Sequence, residues 1–236
     1  QQEANSKLGM GSRATMASAQ KLYQEGRITY MRTDSVNLSS QAIAASADYI
    51  KRLYGIEYSH VRKFKTKSAG AQEAHEAIRP TDITRESVSG SDYDQRLYDL
   101  IRRRTLASQM APAKLENTTI TISINDGEKQ NNSSKTNDKF VFEAKGQVVL
   151  FDGFLRVYGG GKDDTILPTV KSGDQLQHHS VEARQVFARP PARYTEGTLV
   201  KKLEELGIGR PSTYATIMNT IQTRGYAERG ESEGEP

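Results

Sequence analysis

The chain has 236 residues, 35% of them hydrophobic and 26% charged, with a net charge of +4 and no cysteine. That length accommodates one large domain or two ordinary ones, and the composition suits a soluble globular protein with a modest core. The composition excludes disulfides and thiolate-zinc sites within this segment, no run approaches the ~18 apolar residues of a membrane-spanning helix, and no signal-peptide pattern opens the chain, so a reducing cytoplasm is the simplest setting.

The chain begins at Gln1 inside a helical pattern and closes on the polar stretch GESEGEP, as a segment of a larger protein would. Met16, Ala19, Leu22 and Tyr23 recur at helical spacing, and Gly26 stands where a C-terminal cap belongs. Arg27 to Met31 reads as a short extended segment. Ser39 or Ser40 can cap a second helix with Ile43, Ala47, Ile50 and Tyr54 on its apolar face, closed by Gly55. A basic loop follows, then a short helix from about Ala71 that must stop before Pro80. A longer helix is expected from about Ser91 to Met110.

After Pro112 the period changes from helical to alternating. Thr118 to Ile124 sets Thr against Ile120, Ile122 and Ile124, a half-buried strand pattern, and Phe140 and Phe142 alternate similarly. Val148–Phe151 and Phe154–Tyr158 read as further strands, separated from the others by the polar loops DGEKQNNSSKTND and GGGKDD. From Tyr194 the helical period returns. Leu199, Val200, Leu203 and Leu206 share one face, Gly207 ends it, and Ser212 can cap a helix bearing Tyr214, Ile217, Met218 and Ile221. The expected organisation is helical over 1–112, strand-rich over 113–193 and helix-turn-helix-like over 194–236.

Charge is gathered in two clusters, Arg62, Lys63, Lys65 and Lys67, and Arg96, Arg102, Arg103 and Arg104. Such clusters attract polyanions in a salt-dependent way, although a solvated helix face explains each equally simply.

Three strings can carry chemistry. In ITYMRTDS, side chains two apart on an extended backbone point the same way, so Tyr30 and Arg32 would face one site, with Asp34 next in the series. A phenol, with a pKa near ~10, is a weak nucleophile, and a guanidinium beside it can stabilise both the developing phenoxide and the oxygens of a phosphodiester under attack. By spacing alone, a structural Tyr and Arg flanking a turn is the commoner explanation. In AQEAHEAIRPTD, His75 and Arg79 share a helical face and could bind a phosphate, with Glu73 and Glu76 holding the histidine, or the string is an ordinary ion-pair helix. In GIGRPSTYATI, Arg210, Ser212 and Thr213 sit at a helix start, which suits a phosphate, while Ser212 serves equally as a plain cap. Arg224 can reach DNA or serve its helix C-terminus. His178 and His179, adjacent on a strand, would point to opposite faces and make no metal pair. Asp92 and Asp94 form a DxD but precede a helical pattern, so they read as helix-start residues.

Together these strings resemble the bacterial type IA DNA topoisomerases. ITYMRTDS is similar to that family's active-site tyrosine segment, and AQEAHEAIRPTD, PPARYTEGTLVKKLEELGIGRPSTYATI and TIQTRGY are similar to its other signatures in the same order. The resemblance is loosest across the strand-rich middle, from about Glu116 to Gln185. Met31 after the tyrosine resembles the topoisomerase I branch, since the topoisomerase III branch usually has proline there. The resemblance implies an α+β multidomain architecture: a helical, CAP/winged-helix-like domain bearing the tyrosine, part of a β-rich hinged gate, and part of a base domain that holds the cut strand. It implies that Tyr30 attacks one DNA strand and holds its 5′ phosphate, and that Arg32 contacts the scissile phosphate. Thr33, Asp34, His75, Arg79, Arg210, Ser212, Thr213 and Arg224 are implied as DNA-binding residues. The family's Mg²⁺ is bound by an N-terminal Toprim domain that nothing here matches, so no metal is expected in this segment. The partners expected are single-stranded or negatively supercoiled DNA in the bacterial nucleoid and the rest of the same chain, Toprim domain included, with no membrane. A helix-turn-helix-like DNA-binding module without chemistry, or a topoisomerase III-like decatenase, are the alternatives.

Overall fold

The computed structural model describes residues 1–64, 75–123, 141–160 and 164–230. By its contacts the chain divides into two units, one formed by residues 1–111 with 187–236 and the other by 112–186. The C-terminal helices therefore pack with the N-terminal ones.

In the first unit, α1 (Gln2–Leu8) and α2 (Ser12–Gln24) lead into the tyrosine segment. Gly26, at φ 66°, ends α2 in the left-handed conformation that only glycine adopts cheaply. The amides of Gly26 and Arg27 close the turn on the Tyr23 and Leu22 carbonyls at 2.9 and 2.8 Å. Helix α3 (Ser40–Leu53) starts where the sequence placed it, with the Ser39 hydroxyl accepting from the Ala42 amide. Ile43, Ala47 and Ile50 are buried as expected, and Tyr49, absent from the expected face, is buried with them. Helix α4 (Asp92–Ser108) opens on a capping box in which Ser91 and Asp94 satisfy each other's backbone amides. Asp94 thus is the helix-start residue its position suggested.

Leu22, Ile28, Met31, Leu97 and Tyr98 meet in one core with Ala4, Met10 and Ala19. Helices α5 (Glu196–Glu205) and α6 (Tyr214–Thr223) form a second, smaller cluster of Val200, Tyr214 and Met218, with Leu199, Leu203 and Ile221 packed against it. Leu206 departs from expectation. It falls at the C-cap of α5 and is 59% exposed. The Asn5 side chain accepts from the Gly197 amide at 3.0 Å and Glu196 accepts from the Ser12 amide at 2.6 Å, which docks α5 on the N-terminal helices.

In the second unit, β1 (Lys114–Ser123) pairs antiparallel with β2 (Val141–Phe151), Ile120 opposite Ala144. Ile120 and Ile122 are half-buried and Thr119 and Thr121 exposed, which is the period-2 pattern read from the sequence. Ile124 and Phe140 lie outside the described residues, as does the whole DGEKQNNSSKTND loop. Two strand expectations need correcting. Val148–Phe151 is the end of β2 and not a separate strand, and Gly153–Tyr158 is a 3-10 helix. Gly153 and Gly159, both at positive φ, bend the backbone at its two ends and prevent an extended run. Among the described residues no helix is long and apolar enough to cross a membrane.

Candidate functional site

The tyrosine segment is fastened from both sides. Ile28 forms an antiparallel bridge with Pro80, the Thr29 amide donates to the Arg79 carbonyl at 2.9 Å, and the Thr81 amide donates to the Arg27 carbonyl at 3.0 Å. The Thr29 hydroxyl donates to the Ala77 carbonyl at 2.7 Å and accepts from the Arg79 amide at 2.9 Å. Ile28 and Met31 are anchored in the core at 1% and 4% exposure, whereas Tyr30 between them is 42% exposed. Arg32 is exposed as well, and Thr33 and Ser35 are buried. The backbone is therefore held by its apolar neighbours while the phenol and the guanidinium stay open. The Thr33 hydroxyl accepts from the Ser35 amide at 3.0 Å, so its visible use is to shape this turn.

Two rings stand against Tyr30. The Tyr23 ring centroid lies 5.2 Å away at an interplanar angle of 68°, and that of His75 lies 6.1 Å away at 88°. The Nδ1 of His75 is buried without a hydrogen-bond partner among the described residues. Burial of a polar atom without such a partner is costly.

The second string differs from its expected form. Residues 75–79 are not helical but run beside the tyrosine segment, and the proposed start near Ala71 and the side chain of Glu73 lie outside the described residues. Glu76 holds Arg79, not His75. Its carboxylate accepts from Nε and Nη2 of Arg79 at 2.7 and 3.0 Å and from the Ser39 amide at 2.8 Å. Burial on its own would raise the Glu76 pKa, yet the Arg79 fork and the Ser39 amide together hold it below the ordinary carboxylate value. Arg79 also donates to the Pro80 carbonyl at 2.8 Å, so its fork is spent on shaping the loop.

The third string comes close to the first at one point. Arg210 Nη1 lies 4.0 Å from the Asp34 carboxylate. Thr213, not Ser212, is the cap residue of α6, and its hydroxyl accepts from the Arg210 amide at 2.9 Å, so Thr213 orients the arginine's backbone. Gly209 precedes this turn at φ 78°, a conformation that glycine adopts without strain. Arg224 is the exposed C-cap of α6, ~15 Å along the helix from Tyr214.

The second basic cluster is largely neutralised within the fold. Arg102 is buried, donating to the Ile83 carbonyl and Tyr49, while Arg103 pairs with Asp99 at 2.7 Å. Arg104 pairs with Glu3, and Arg96 pairs with Asp92 and donates to the Leu8 carbonyl. Arg62 of the first cluster donates to the Met110 carbonyl at 3.1 Å, and Lys65 and Lys67 lie outside the described residues. Of the arginine cluster Arg102 has a structural role, while Arg96, Arg103 and Arg104 keep much of their side chains exposed in surface ion pairs.

What the sequence missed is Tyr23, which counted there only as part of a helix face. Its single signal was a position one turn before the glycine that reverses the chain toward Tyr30.

Residues 1–236 match the family model described as DNA topoisomerase over their whole length, and the chain belongs to that family. It is 46% identical to a DNA topoisomerase 1 of Zymomonas mobilis, with 96% of this chain aligned to 19% of that protein. It is 45% identical to one of Vibrio cholerae, with 97% of this chain aligned to 25% of that protein. The chain thus spans about a fifth to a quarter of these relatives' lengths. Full-length topoisomerase I of Thermotoga maritima superposes with a TM-score of 0.73 at 35% identity, over 98% of this chain and 38% of that one.

Proposed function

We propose that this chain supplies the strand-cleaving tyrosine of a type IA DNA topoisomerase that relaxes negative supercoils in bacterial DNA. The observation that carries the reading is the open Tyr30 phenol on a backbone pinned at Ile28 and Met31, with His75 against its ring and Arg32 exposed two residues on. In this reading the Tyr30 Oη attacks a phosphodiester of one strand and the P–O3′ bond breaks. The tyrosine keeps the 5′ phosphate and the 3′ oxygen leaves as a hydroxyl once protonated. The phosphotyrosine bond conserves the free energy of the cut, so resealing needs no ATP. Arg32 neutralises the phosphate oxygens as charge develops on them. His75 and Arg210, with the exposed hydroxyl of Ser212, bind the flanking strand, whereas Thr33, Arg79 and Thr213 act by shaping the backbone that presents those groups.

Mg²⁺ has no fitting seat among the described residues. Asp94 is filled by Ser18, Lys21 and Ser91, Asp92 pairs with Arg96, and no group of three potential ligands gathers. The metal of the complete enzyme belongs in this reading to the Toprim domain of the longer protein. A DNA-binding module without chemistry leaves the open Tyr30 phenol and the exposed Arg32 two residues on without a use.

The test is to trap the covalent adduct formed by the complete enzyme on a labelled single strand, digest it, and locate the nucleotide by mass spectrometry. It should reside on the Tyr30 peptide with the 5′ side of the break attached; an adduct on any other residue rejects the assignment. Arg32→Lys retains the charge but loses the planar fork, and is expected to slow single-turnover cleavage about tenfold or more. A parental rate would remove Arg32 from the scissile phosphate. The isolated chain should bind single-stranded DNA weakly, with affinity falling steeply as salt rises, and leave supercoiled plasmid unrelaxed in Mg²⁺. Relaxation that depends on Tyr30 would show that the chain needs no further domain.

A further inference from the structure

We propose that Tyr23 is a positioning residue for the nucleophile, its ring serving with that of His75 to confine the Tyr30 phenol to one orientation; this rests on Tyr30 being the nucleophile. Tyr23 and Tyr30 are 41% and 42% exposed, and their ring centroids are 5.2 Å apart in an edge-to-face arrangement. Each ring leaves considerable area in water, so the contact contributes little to the core. Both backbones are nevertheless tied down. Leu22, next to Tyr23, is fully buried, as is Ile28 two residues before Tyr30. Between them the Gly26 turn is closed by two backbone hydrogen bonds and by the Thr81 hydroxyl, which donates to the Gly26 carbonyl at 2.7 Å. The separation of the two rings is therefore set by a rigid helix end and not by a flexible loop.

Tyr30 meets Tyr23 at 68° and His75 at 88°, and both neighbours touch it edge-on or face-on without stacking parallel. Edge-to-face contacts are directional, because the electropositive ring edge seeks the electronegative face. Two of them restrict the side-chain rotation that an exposed tyrosine otherwise enjoys among about three χ1 wells. A nucleophile must meet phosphorus in line with the leaving oxygen, so confinement to the productive well raises the fraction of bound complexes that react. Removing one wall should lower that fraction without touching the phosphate contacts that give affinity.

The experiment compares Tyr23→Leu and Tyr23→Phe in the complete enzyme, with Tyr30→Phe alongside. Single-turnover cleavage of a labelled oligonucleotide, equilibrium binding of the same strand and the melting temperature are measured for each. Tyr23→Leu is expected to slow cleavage about three- to tenfold while affinity stays within about twofold and the melting temperature holds. Tyr23→Phe, which restores the ring, should cleave within about twofold of the parent. If Leu lowers the melting temperature, Tyr23→Met provides a second ringless side chain of good helix propensity. A parental cleavage rate in the ringless variants overturns the proposal. So does a loss of affinity as large as the loss of rate, which would make Tyr23 a stacking platform for DNA. A Phe variant as slow as Leu also overturns it, since the hydroxyl would then touch the substrate. If Tyr30→Phe still forms adduct, the nucleophile assignment itself fails. If it is inert while Tyr23→Leu is normal, only the positioning role fails.

Discussion

In the complete enzyme, Tyr30→Phe is expected to abolish covalent adduct formation, a loss on the order of 10⁴-fold or more, while single-strand affinity stays within a few-fold. Only the hydroxyl can form the phosphotyrosine bond, and its removal leaves the ring contacts with Tyr23 and His75 in place. Folding should be unaffected, because the core beneath is supplied by Ile28 and Met31 and not by the 42% exposed phenol. In the proposed reading affinity rests on cations that the substitution does not disturb, Arg32 and Arg210 among them. The measurement is denaturant-resistant retention of a labelled strand beside equilibrium binding of the same strand. Adduct that persists in the variant at more than a trace identifies a different nucleophile.

The helix boundaries could be read from sequence because their causes are local. Ser39 and Ser91 cap the amides three residues ahead of them, and Gly26 supplies the left-handed turn that ends α2. The alternation in ITYMRTDS was legible for a related reason, since Met31, Thr33 and Ser35 are buried while Tyr30 and Arg32, each preceding one of them, are open. The string around His75 was not legible. Its helical spacing is overridden by hydrogen bonds to Thr29, whose position ~50 residues earlier no local pattern reports. The partners of the arginine cluster were hidden in the same way. Arg104 finds Glu3 and Arg102 finds Tyr49 and the Ile83 carbonyl, partners brought together only by packing. At Gly153–Tyr158 the apolar run fitted a strand, but the flanking glycines at positive φ turned it into a 3-10 helix. The proposed nucleophile could thus be picked out from the sequence, while the neighbouring Tyr23 ring required the geometry of the turn.

Asp94 offers the largest expected effect on stability. Its side chain, 4% exposed, accepts from the Ser18 hydroxyl at 2.6 Å, from Lys21 Nζ at 2.8 Å and from the Ser91 amide at 2.9 Å. Burial works to raise its pKa, but the Lys21 ammonium and the hydrogen bonds from Ser18 and Ser91 outweigh burial and hold the carboxyl well below the usual carboxylate range. It ties α2 to the start of α4, on the same two helices that supply Leu22 and Leu97 to the core under Tyr30. Asp94→Ala removes the cap partner and leaves the Ser18 hydroxyl and the Ser91 amide without an acceptor, so a loss of about 3 kcal/mol is expected. Asp94→Asn keeps the shape but not the charge, and should cost about 2 kcal/mol at neutral pH. Because the folded pKa is depressed, the contribution of the charge is fully present above the unfolded value near ~3.9 and is lost as pH falls through the folded one. Urea denaturation at pH 6 and again near pH 3 should therefore show the gap between parent and Asp94→Asn narrowing in acid. A gap that stays constant over that interval would mean that the hydrogen-bond geometry, and not the charge, carries the stabilisation.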